Sequence, residues 1–288
     1  MRSVISRIIL ILIAVAVAAG CRSAGGAGGE RVVAGFYPLA YAAERVAPPT
    51  ARIEDLTPTG AEPHDLELTP RAAADIERAD VVLYLGRGFQ PAVADAVHNA
   101  RGRAVDVLAG LPLHPASGEP GLSVDPHVWL DPVRFEHVVL RIGAVLKQPV
   151  RAATLVSALS KLDAEYRAGL AHCARRDIVT SHAAFGYLAQ RYGLRQLSVT
   201  GLTPETEPTA KQLLRVIRLV RKTHATTVFF ERLVSPRLAD TVAREVGAKT
   251  AVLDPVEGLT PSEEMRGDTY FTLMRQNLVA LRKALGCR

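Results

Sequence analysis

The stretch VRAATLVSALSKLDAEYRAGLAHCAR, residues 150–175, contains no proline and carries a single apolar stripe. Its large apolar residues recur at spacings of four, three, four and four: Leu155, Leu159, Leu162, Tyr166 and Leu170. This is the period of an α-helix with one buried face. At 1.5 Å per residue such a helix spans roughly 35–40 Å, about the height of a small domain. We predict a rigid linking helix over residues 149–175 that joins two lobes.

Short apolar strands alternate with helical segments on both sides of this helix. The predicted strands cover residues 31–38, 52–56, 81–85, 103–108, 177–180, 195–199, 226–230 and 249–253. The predicted helices cover residues 39–46, 70–78, 91–100, 132–147, 183–192, 209–222, 236–246 and 268–285. Such alternation is typical of parallel sheets with helices on both faces. We predict an α/β protein with two parallel-sheet (βα)4 lobes, an N-terminal lobe at residues 31–148 and a C-terminal lobe at residues 176–288.

The first residues have the features of an export signal. Arg2 and Arg7 precede an apolar run that ends in small residues before Cys21. The run is too short to span a bilayer comfortably, so we predict a signal peptide over residues 1–20 and a flexible tether over residues 21–30.

Small residues directly before Cys21 resemble the lipobox of bacterial lipoproteins, in which the cysteine is acylated. Lipidation of Cys21 would anchor an exported protein at the outer face of the cytoplasmic membrane. Plain secretion to the periplasm without a lipid is the alternative.

The charge of the chain argues against nucleic acid as a partner. The formal charge is +6, and removal of Arg2 and Arg7 lowers it to +4, since 6 minus 2 is 4. The densest basic group has helical spacing and lacks the interleaved aromatic residues of nucleic-acid binders: Arg215, Arg218, Arg221 and Lys222. We interpret it as a solvated helix face.

Two cysteines remain once Cys21 is assigned to the anchor. In an oxidising compartment Cys173 and Cys287 are expected to pair more often than to stay free. The bridge would close a large loop, which the chain-entropy model values at about 4–5 kcal/mol.

Four potential metal ligands follow predicted strands, where ligands bind in open parallel sheets. His64 lies in EPHDLELTP and His127 in DPHVWLDP, whereas His182 lies in TSHAAFGYL and Asp254 in AVLDPVEGLT. Two of them come from each lobe. We predict that three imidazoles and one carboxylate meet in the cleft between the lobes. Such a set suits Zn²⁺ first, with Mn²⁺ or Fe²⁺ behind it.

Carboxylates beside these ligands are candidates for orienting the imidazoles: Glu62, Asp65, Asp125 and Glu231. Roles in turns and at helix starts are the alternative for some of them.

Several separated motifs carry a family resemblance: EPHD, DPHVWLDP, TSHAAFGY, GLTPETEPT and AVLDP, in this order. The chain resembles the metal-binding lipoproteins of bacterial zinc and manganese ABC importers, the group of ZnuA- and TroA-like proteins, over residues 31–285. The family's metal ligands match His64, His127, His182 and Asp254. Manganese-binding members tend to carry glutamate at the third position, so His182 resembles the zinc branch.

The resemblance implies a monomeric extracytoplasmic carrier and not an enzyme. It would bind Zn²⁺ with high affinity and deliver it to a membrane permease driven by a cytoplasmic ATPase. One alternative is the same role for Mn²⁺ or Fe²⁺. Another is a secreted zinc-dependent hydrolase, because three protein ligands plus water form a catalytic arrangement, although the chain has no HExxH or GxSxG motif. An adhesin, or a carrier of a non-metal solute, is the third.

Overall fold

The computed structural model describes residues 29–116, 121–204 and 208–288. The predicted signal peptide and Cys21 lie outside the described residues, as does most of the predicted tether. Among the helices of these three ranges, none combines the length and the apolar character needed to cross a membrane.

The N-terminal lobe is built on a parallel sheet in the order β2-β1-β3-β4. Its strands are β1 (Arg31–Ala34), β2 (Arg52–Asp55), β3 (Val81–Tyr84) and β4 (Arg103–Asp106). Its helices are α1 (Tyr37–Val46), α2 (Pro70–Arg78), α3 (Pro91–Ala96) and α4 (Pro132–Val145). Val32 pairs with Ile53 on one side and with Val81 on the other, so β1 lies inside the sheet. This position matches the apolar side chains of β1, which suit burial on both faces.

The C-terminal lobe repeats the arrangement in the order β6-β5-β7-β8, again all parallel. Its strands are β5 (Asp177–Thr180), β6 (Arg195–Ser198), β7 (Thr227–Phe230) and β8 (Lys249–Val252). The linking helix is α5 (Pro149–Leu170), and the helices of the C-terminal lobe are α6 (Gly186–Arg191), α7 (Ala210–Thr223), α8 (Arg237–Val246), α9 (Pro261–Arg266) and α10 (Tyr270–Leu285). The predicted α/β class with two four-stranded parallel sheets is confirmed.

One helix, α9, was not predicted from the sequence. Thr260 accepts a hydrogen bond from the backbone of Glu263, and the Glu263 side chain bonds back to Thr260, which forms a capping box. Gly267 ends the helix in the left-handed conformation. The motif TPSE was therefore a usable signal for a short helix.

The linking helix α5 (Pro149–Leu170) packs against both halves of the molecule. Its predicted apolar stripe is buried. The same continuous hydrophobic core includes Trp129 from the N-terminal half, Leu159 from the linking helix and Tyr270 from the C-terminal half. The lobes therefore share one packed core rather than meeting only at a hinge.

The helix ends before the predicted residue 175 because the chain turns after Leu170 and brings Cys173 beside Cys287. These two cysteines form a disulfide bond, which confirms the predicted pairing. The bond joins the segment after the linking helix to the end of α10, and Arg175 N–H donates to the carbonyl of Leu285 beside it.

Candidate metal site

The loop DPHVWLDP holds His127 through interactions at both of its ends. Asp125 Oδ1 accepts from the backbone N–H of His127, and Asp131 caps α4 by accepting from Val133 N–H. Trp129 is buried between these points and packs edge-on against Phe36, with ring centroids 4.8 Å apart. The loop is therefore anchored in the core, and the prolines of its two Asp-Pro pairs restrict its backbone further.

His64 and His182 also follow strands of the two sheets. His64 lies in the loop between β2 and α2, where its ring contacts Phe89 edge-on at a centroid distance of 4.6 Å. His182 lies two residues beyond β5, and its carbonyl accepts hydrogen bonds from Thr180 Oγ1 and Gln196 Nε2. Both side chains are buried at the carboxyl edge of a parallel sheet.

The structure brings His64, His127 and His182 together with Glu257, a residue that is not among the ligands predicted from the sequence. One potential ligand atom from each of the four lies within 4.8 Å of all the others. All four side chains are buried. Among the described residues, no other cluster of three or more His, Cys, Asp or Glu side chains could hold a metal ion.

Asp254 lies outside this group, and this placement corrects the prediction for the fourth position. Asp254 Oδ1 accepts from the backbone N–H of Val256 at 2.7 Å, and Oδ2 lies 3.5 Å from Arg232 Nε. The chain then turns at Val256, whose φ is +57°, and presents Glu257 to the histidines. The signal for Glu257 was the acid that precedes Gly258 in DPVEGLT.

The distances within the group suit tetrahedral zinc. Glu257 Oε1 lies 3.2 Å from His127 Nε2, 3.5 Å from His64 Nε2 and 3.8 Å from His182 Nε2. The Nε2 atoms of His127 and His182 are 3.4 Å apart. Ligands at about 2.0–2.1 Å from a tetrahedral Zn²⁺ lie roughly 3.3 Å from one another. The four side chains therefore need only small adjustments to share one ion.

Several polar atoms of the group are buried without a hydrogen-bond partner among the described residues. They include His64 Nε2 and both carboxylate oxygens of Glu257. Buried polar groups are normally paired, and leaving them unpaired costs free energy. A divalent cation would satisfy these atoms at once, so the group fits a metal site better than a structural ion-pair cluster.

Two of the predicted orienting residues contact the imidazoles directly. Asp125 Oδ1 lies 2.8 Å from His127 Nδ1, and Glu231 Oε1 lies 2.7 Å from His182 Nδ1. A carboxylate only accepts, so each Nδ1 carries a proton, and in the metal-binding state each Nε2 presents its lone pair to the ion. This arrangement sets both the tautomer and the direction of the rings.

The other two predicted orienting residues behave differently. Glu62 Oε1 accepts from the backbone N–H of His64 at 3.2 Å, so Glu62 positions the loop and not the ring. Asp65 is exposed, and in the described part of the chain no hydrogen bond joins it to a histidine. Its predicted orienting role is wrong in this structure because its side chain is at the surface.

The electrostatics of the metal-free site differ from one histidine to the next. Burial alone would lower the pKa of His127, but the neighbouring carboxylates of Asp125 and Glu257 outweigh it and raise the pKa to about 9. Burial lowers the pKa of His64, which keeps that ring neutral at neutral pH. Burial, followed by the charge of Glu257, raises the pKa of Glu62 to about 10. Burial opposes ionisation of Glu257, but its interactions with His64, His127 and His182 outweigh burial and lower the pKa of Glu257, which therefore supplies negative charge beside the three histidines.

Two α/β lobes around a buried set of three histidines and one glutamate define a two-lobed protein with a candidate metal site between its sheets. The family model described as zinc-uptake complex component A, periplasmic, matches residues 32–284. This chain belongs to that family.

Similar proteins carry zinc in their names. The zinc-binding lipoprotein AdcA of Streptococcus pneumoniae (strain ATCC BAA-255 / R6) is 34% identical over 275 residues, which cover 88% of this chain and 55% of AdcA. The high-affinity zinc uptake system protein ZnuA of Bacillus subtilis (strain 168) is 34% identical over 277 residues, covering 88% of this chain and 87% of ZnuA. The chain spans about half the length of AdcA and most of the length of ZnuA.

Solved structures confirm the fold. The Zn(II)-bound ZnuA-like domain of Streptococcus pneumoniae AdcA is 34% identical, with a TM-score of 0.76 over 90% of this chain and 99% of that domain. The laminin-binding protein Lmb of Streptococcus agalactiae, described as an adhesin with metal transporting activity, is 28% identical, with a TM-score of 0.81 over 89% of this chain and 99% of Lmb.

Proposed function

We propose that this chain is the extracytoplasmic metal-binding component of an ABC importer and that it captures Zn²⁺ with high affinity. The metal would be held by His64, His127, His182 and Glu257. The observation that carries the proposal is the convergence of these four buried side chains, with ligand atoms within 4.8 Å of one another. Three imidazole nitrogens and one carboxylate oxygen form a set that zinc prefers over harder ions.

The transport role rests on the family and on its named relatives. An uptake component of this kind would pass zinc to a membrane permease driven by a cytoplasmic ATPase. We further propose that the protein acts as a monomer anchored through a lipid on Cys21, by analogy with AdcA, which is named a lipoprotein. The lobes at residues 31–148 and 176–288, with the linking segment 149–175 between them, would then face each other across the metal.

The geometry favours a carrier over a hydrolase. A catalytic zinc site keeps one position open for water or substrate, whereas four protein ligands complete a tetrahedral shell. Mn²⁺ is disfavoured by the nitrogen-rich set because it prefers oxygen ligands, and Fe²⁺, which accepts imidazole, stands below Zn²⁺ in the general order of affinity.

The direct test is a calorimetric zinc titration of protein freshly stripped with a chelator, at pH 7.5. We expect one Zn²⁺ per chain, and we expect His127→Ala to lose tight binding because it removes a central ligand. His137→Ala is the matched control, since this histidine is exposed on α4. Absence of zinc binding to the wild type would overturn the proposal, as would equal effects of the two substitutions.

Metal preference is tested by competitive titration of Zn²⁺ against Mn²⁺ for the wild type and for His182→Glu. Replacing imidazole with a carboxylate makes the site richer in oxygen and more negative, which should shift preference towards Mn²⁺. An unchanged Zn²⁺-to-Mn²⁺ ratio in His182→Glu would show that His182 does not set the preference.

A further inference from the structure

We propose that Asp254 is a positioning residue that directs Glu257 into the metal site by holding Val256 in the left-handed backbone conformation. This inference rests on the proposed metal-binding function. It gives Asp254 a role through the backbone of the loop, in place of the ligand role that the sequence suggested.

Val256 has a backbone conformation that its side chain opposes. Its φ is +57°, in the left-handed region where a β-branched side chain is a genuine outlier. In the described chain, the other non-glycine residues with a positive φ are not β-branched: Arg87, Lys147 and His224. Val256 is also fully buried. Such a conformation persists only where surrounding contacts impose it, and it is concentrated at functional sites.

Asp254 supplies the contact that imposes it. Its Oδ1 accepts from the backbone N–H of Val256 at 2.7 Å, two residues ahead, which is the hydrogen bond of an Asx-turn. With the Val256 amide held in this way, the turn between Asp254 and Glu257 is closed locally.

Asp254 is itself fixed by α10. The backbone N–H of Asp254 donates to Asn277 Oδ1 at 2.8 Å, and Asn277 Nδ2 donates to the carbonyl of Asp254 at 2.6 Å. Asn277 is buried. Both polar groups of the Asp254 backbone are therefore hydrogen-bonded. This fixes the position from which the Asp254 carboxylate accepts the Val256 N–H.

The second carboxylate oxygen faces a cation in the loop that follows the neighbouring strand β7. Asp254 Oδ2 lies 3.5 Å from Arg232 Nε, which also lies 2.9 Å from Glu263 Oε1. Arg232 is partly exposed, so this pair contributes less than the buried turn. A substitution that removes the charge but keeps the acceptor should therefore preserve most of the positioning effect.

The consequence falls on Glu257, the next residue in the chain. Glu257 Oε1 is the atom that approaches all three imidazoles, at 3.2–3.8 Å. Without the bond to Asp254, Val256 would relax to a negative φ, and the Cα–Cβ direction of Glu257 would turn away from the histidines. Zinc would then lose its oxygen ligand while the lobes remain folded.

The experiment compares Asp254→Ala, Asp254→Asn, Val256→Gly and the double variant Asp254→Ala/Val256→Gly. Asparagine keeps an Oδ1 acceptor, and glycine adopts a positive φ without strain. We expect Asp254→Ala to weaken zinc binding about 10- to 100-fold, the range usual for groups that orient a ligand. We expect Asp254→Asn and Val256→Gly to stay close to the wild type and the double variant to regain most of the lost affinity. Zinc affinities are measured against a competing chelator on variants shown by circular dichroism to be folded.

A second readout does not depend on metal. In a crystal structure of metal-free Asp254→Ala, Val256 should have a negative φ and Glu257 should be displaced from the histidines. A retained positive φ would overturn the inference, as would wild-type affinity in Asp254→Ala or failure of Val256→Gly to restore it. If the single variant does not fold, folding and zinc binding by the double variant count as the rescue, and their absence overturns the inference. If the wild type does not bind zinc, the proposed function is overturned. The φ of Val256 in metal-free Asp254→Ala would still decide whether Asp254 positions the turn.

Discussion

Trp129 Nε1 donates a hydrogen bond of 2.7 Å to the backbone carbonyl of Pro255, 126 residues further along the chain. The donor lies two residues after His127, and the acceptor lies two residues before Glu257. Tyr270 Oη in turn donates to the carbonyl of Trp129 at 2.6 Å. All these groups are buried. The ligand loops of the two lobes are therefore joined beneath the candidate metal site by direct bonds, which restricts how far the site can open on this side.

We expect Trp129→Phe to lower both stability and zinc affinity. The substitution leaves the buried Pro255 carbonyl without its donor, which costs about 1–3 kcal/mol of the free energy of unfolding. It also releases the loop of Glu257 from the loop of His127, so zinc should bind more weakly. Urea denaturation of the metal-free protein and competitive zinc titration measure the two effects.

Tyr166→Phe is the matched control for this prediction. Tyr166 is fully buried in the linking helix, and its hydroxyl donates to the carbonyl of Met274 at 2.6 Å. Its loss should cost a similar free energy of unfolding without changing zinc affinity. Equal loss of affinity in the two variants would contradict a specific role for the Trp129–Pro255 bond.

Zinc affinity should rise with pH through the neutral range. The pKa of His127 is raised to about 9 by Asp125 and Glu257 against the opposing effect of burial, so its ring carries a proton below that pH. Zinc needs the neutral ring and must displace this proton. Affinity should therefore increase by up to about tenfold per pH unit between roughly pH 7 and 9 and level off above. Emission of Trp129, the single tryptophan of the chain, reports binding across this range.

The same raised pKa has the opposite effect on the metal-free fold. The protonated ring of His127 is stabilised in the folded state, so this contribution is fully present below the unfolded pKa of about 6.5 and is lost as pH rises through about 9. Metal-free protein should lose stability over this window while its zinc affinity increases. Calorimetry in buffers of different ionisation enthalpy should detect proton release on zinc binding at pH 7.5. Zinc binding without proton release would contradict the raised pKa of His127.

The fold could be predicted because its signals are local. The run VVLY of β3 is apolar on both faces, as a central parallel strand requires, and Thr69 before Pro70 marks the start of α2. The three histidines could be found for a related reason: each lies in a loop that follows a strand, and parallel strands bring such loops to one edge.

Glu257 could not be found in this way, because its position depends on features that are not local. The local rule favours Asp254, which lies immediately beyond the strand β8, and a valine argues against a left-handed turn at position 256. Asp254 can close this turn through Val256 because Asn277 and Trp129, distant in sequence, bind the backbone of Asp254 and Pro255 and fix the acceptor in place. Long-range contacts, and not the local preference, decide which carboxylate faces the histidines.

Arg191→Ala should strongly destabilise the protein. Arg191 Nε lies 2.6 Å from Asp163 Oδ1 in the linking helix and 3.2 Å from Asp131 Oδ1 at the start of α4. Both carboxylates are buried. Without Arg191, Asp163 keeps Arg167 and the Tyr192 hydroxyl, and Asp131 keeps Arg134 at 3.5 Å, so each carboxylate loses one of its partners. We expect a loss of about 1–3 kcal/mol in the free energy of unfolding, measured by urea denaturation at pH 7.5.

Arg195→Ala controls for the loss of an arginine. Its guanidinium is 75% exposed and pairs with Asp177 at 2.7 Å on the surface. Exposed ion pairs contribute little to stability because solvent screens them, so this variant should remain near the wild type. Similar denaturation midpoints for the two variants would show that Arg191 does not join the lobes through a buried ion pair.

Removal of the disulfide should lower the stability of the protein without changing its zinc affinity. The bond between Cys173 and Cys287 connects residues 114 apart and constrains the unfolded chain, so the double variant Cys173→Ala/Cys287→Ala should lose about 2–5 kcal/mol in the free energy of unfolding. Zinc affinity at 25 °C should stay unchanged, because Asp125 and Glu231 still hold two of the imidazoles in the folded protein. A reducing agent should lower the denaturation midpoint of the wild type and leave that of the double variant unaffected. A parallel loss of zinc affinity in the folded double variant would instead show that the bridge helps to shape the site.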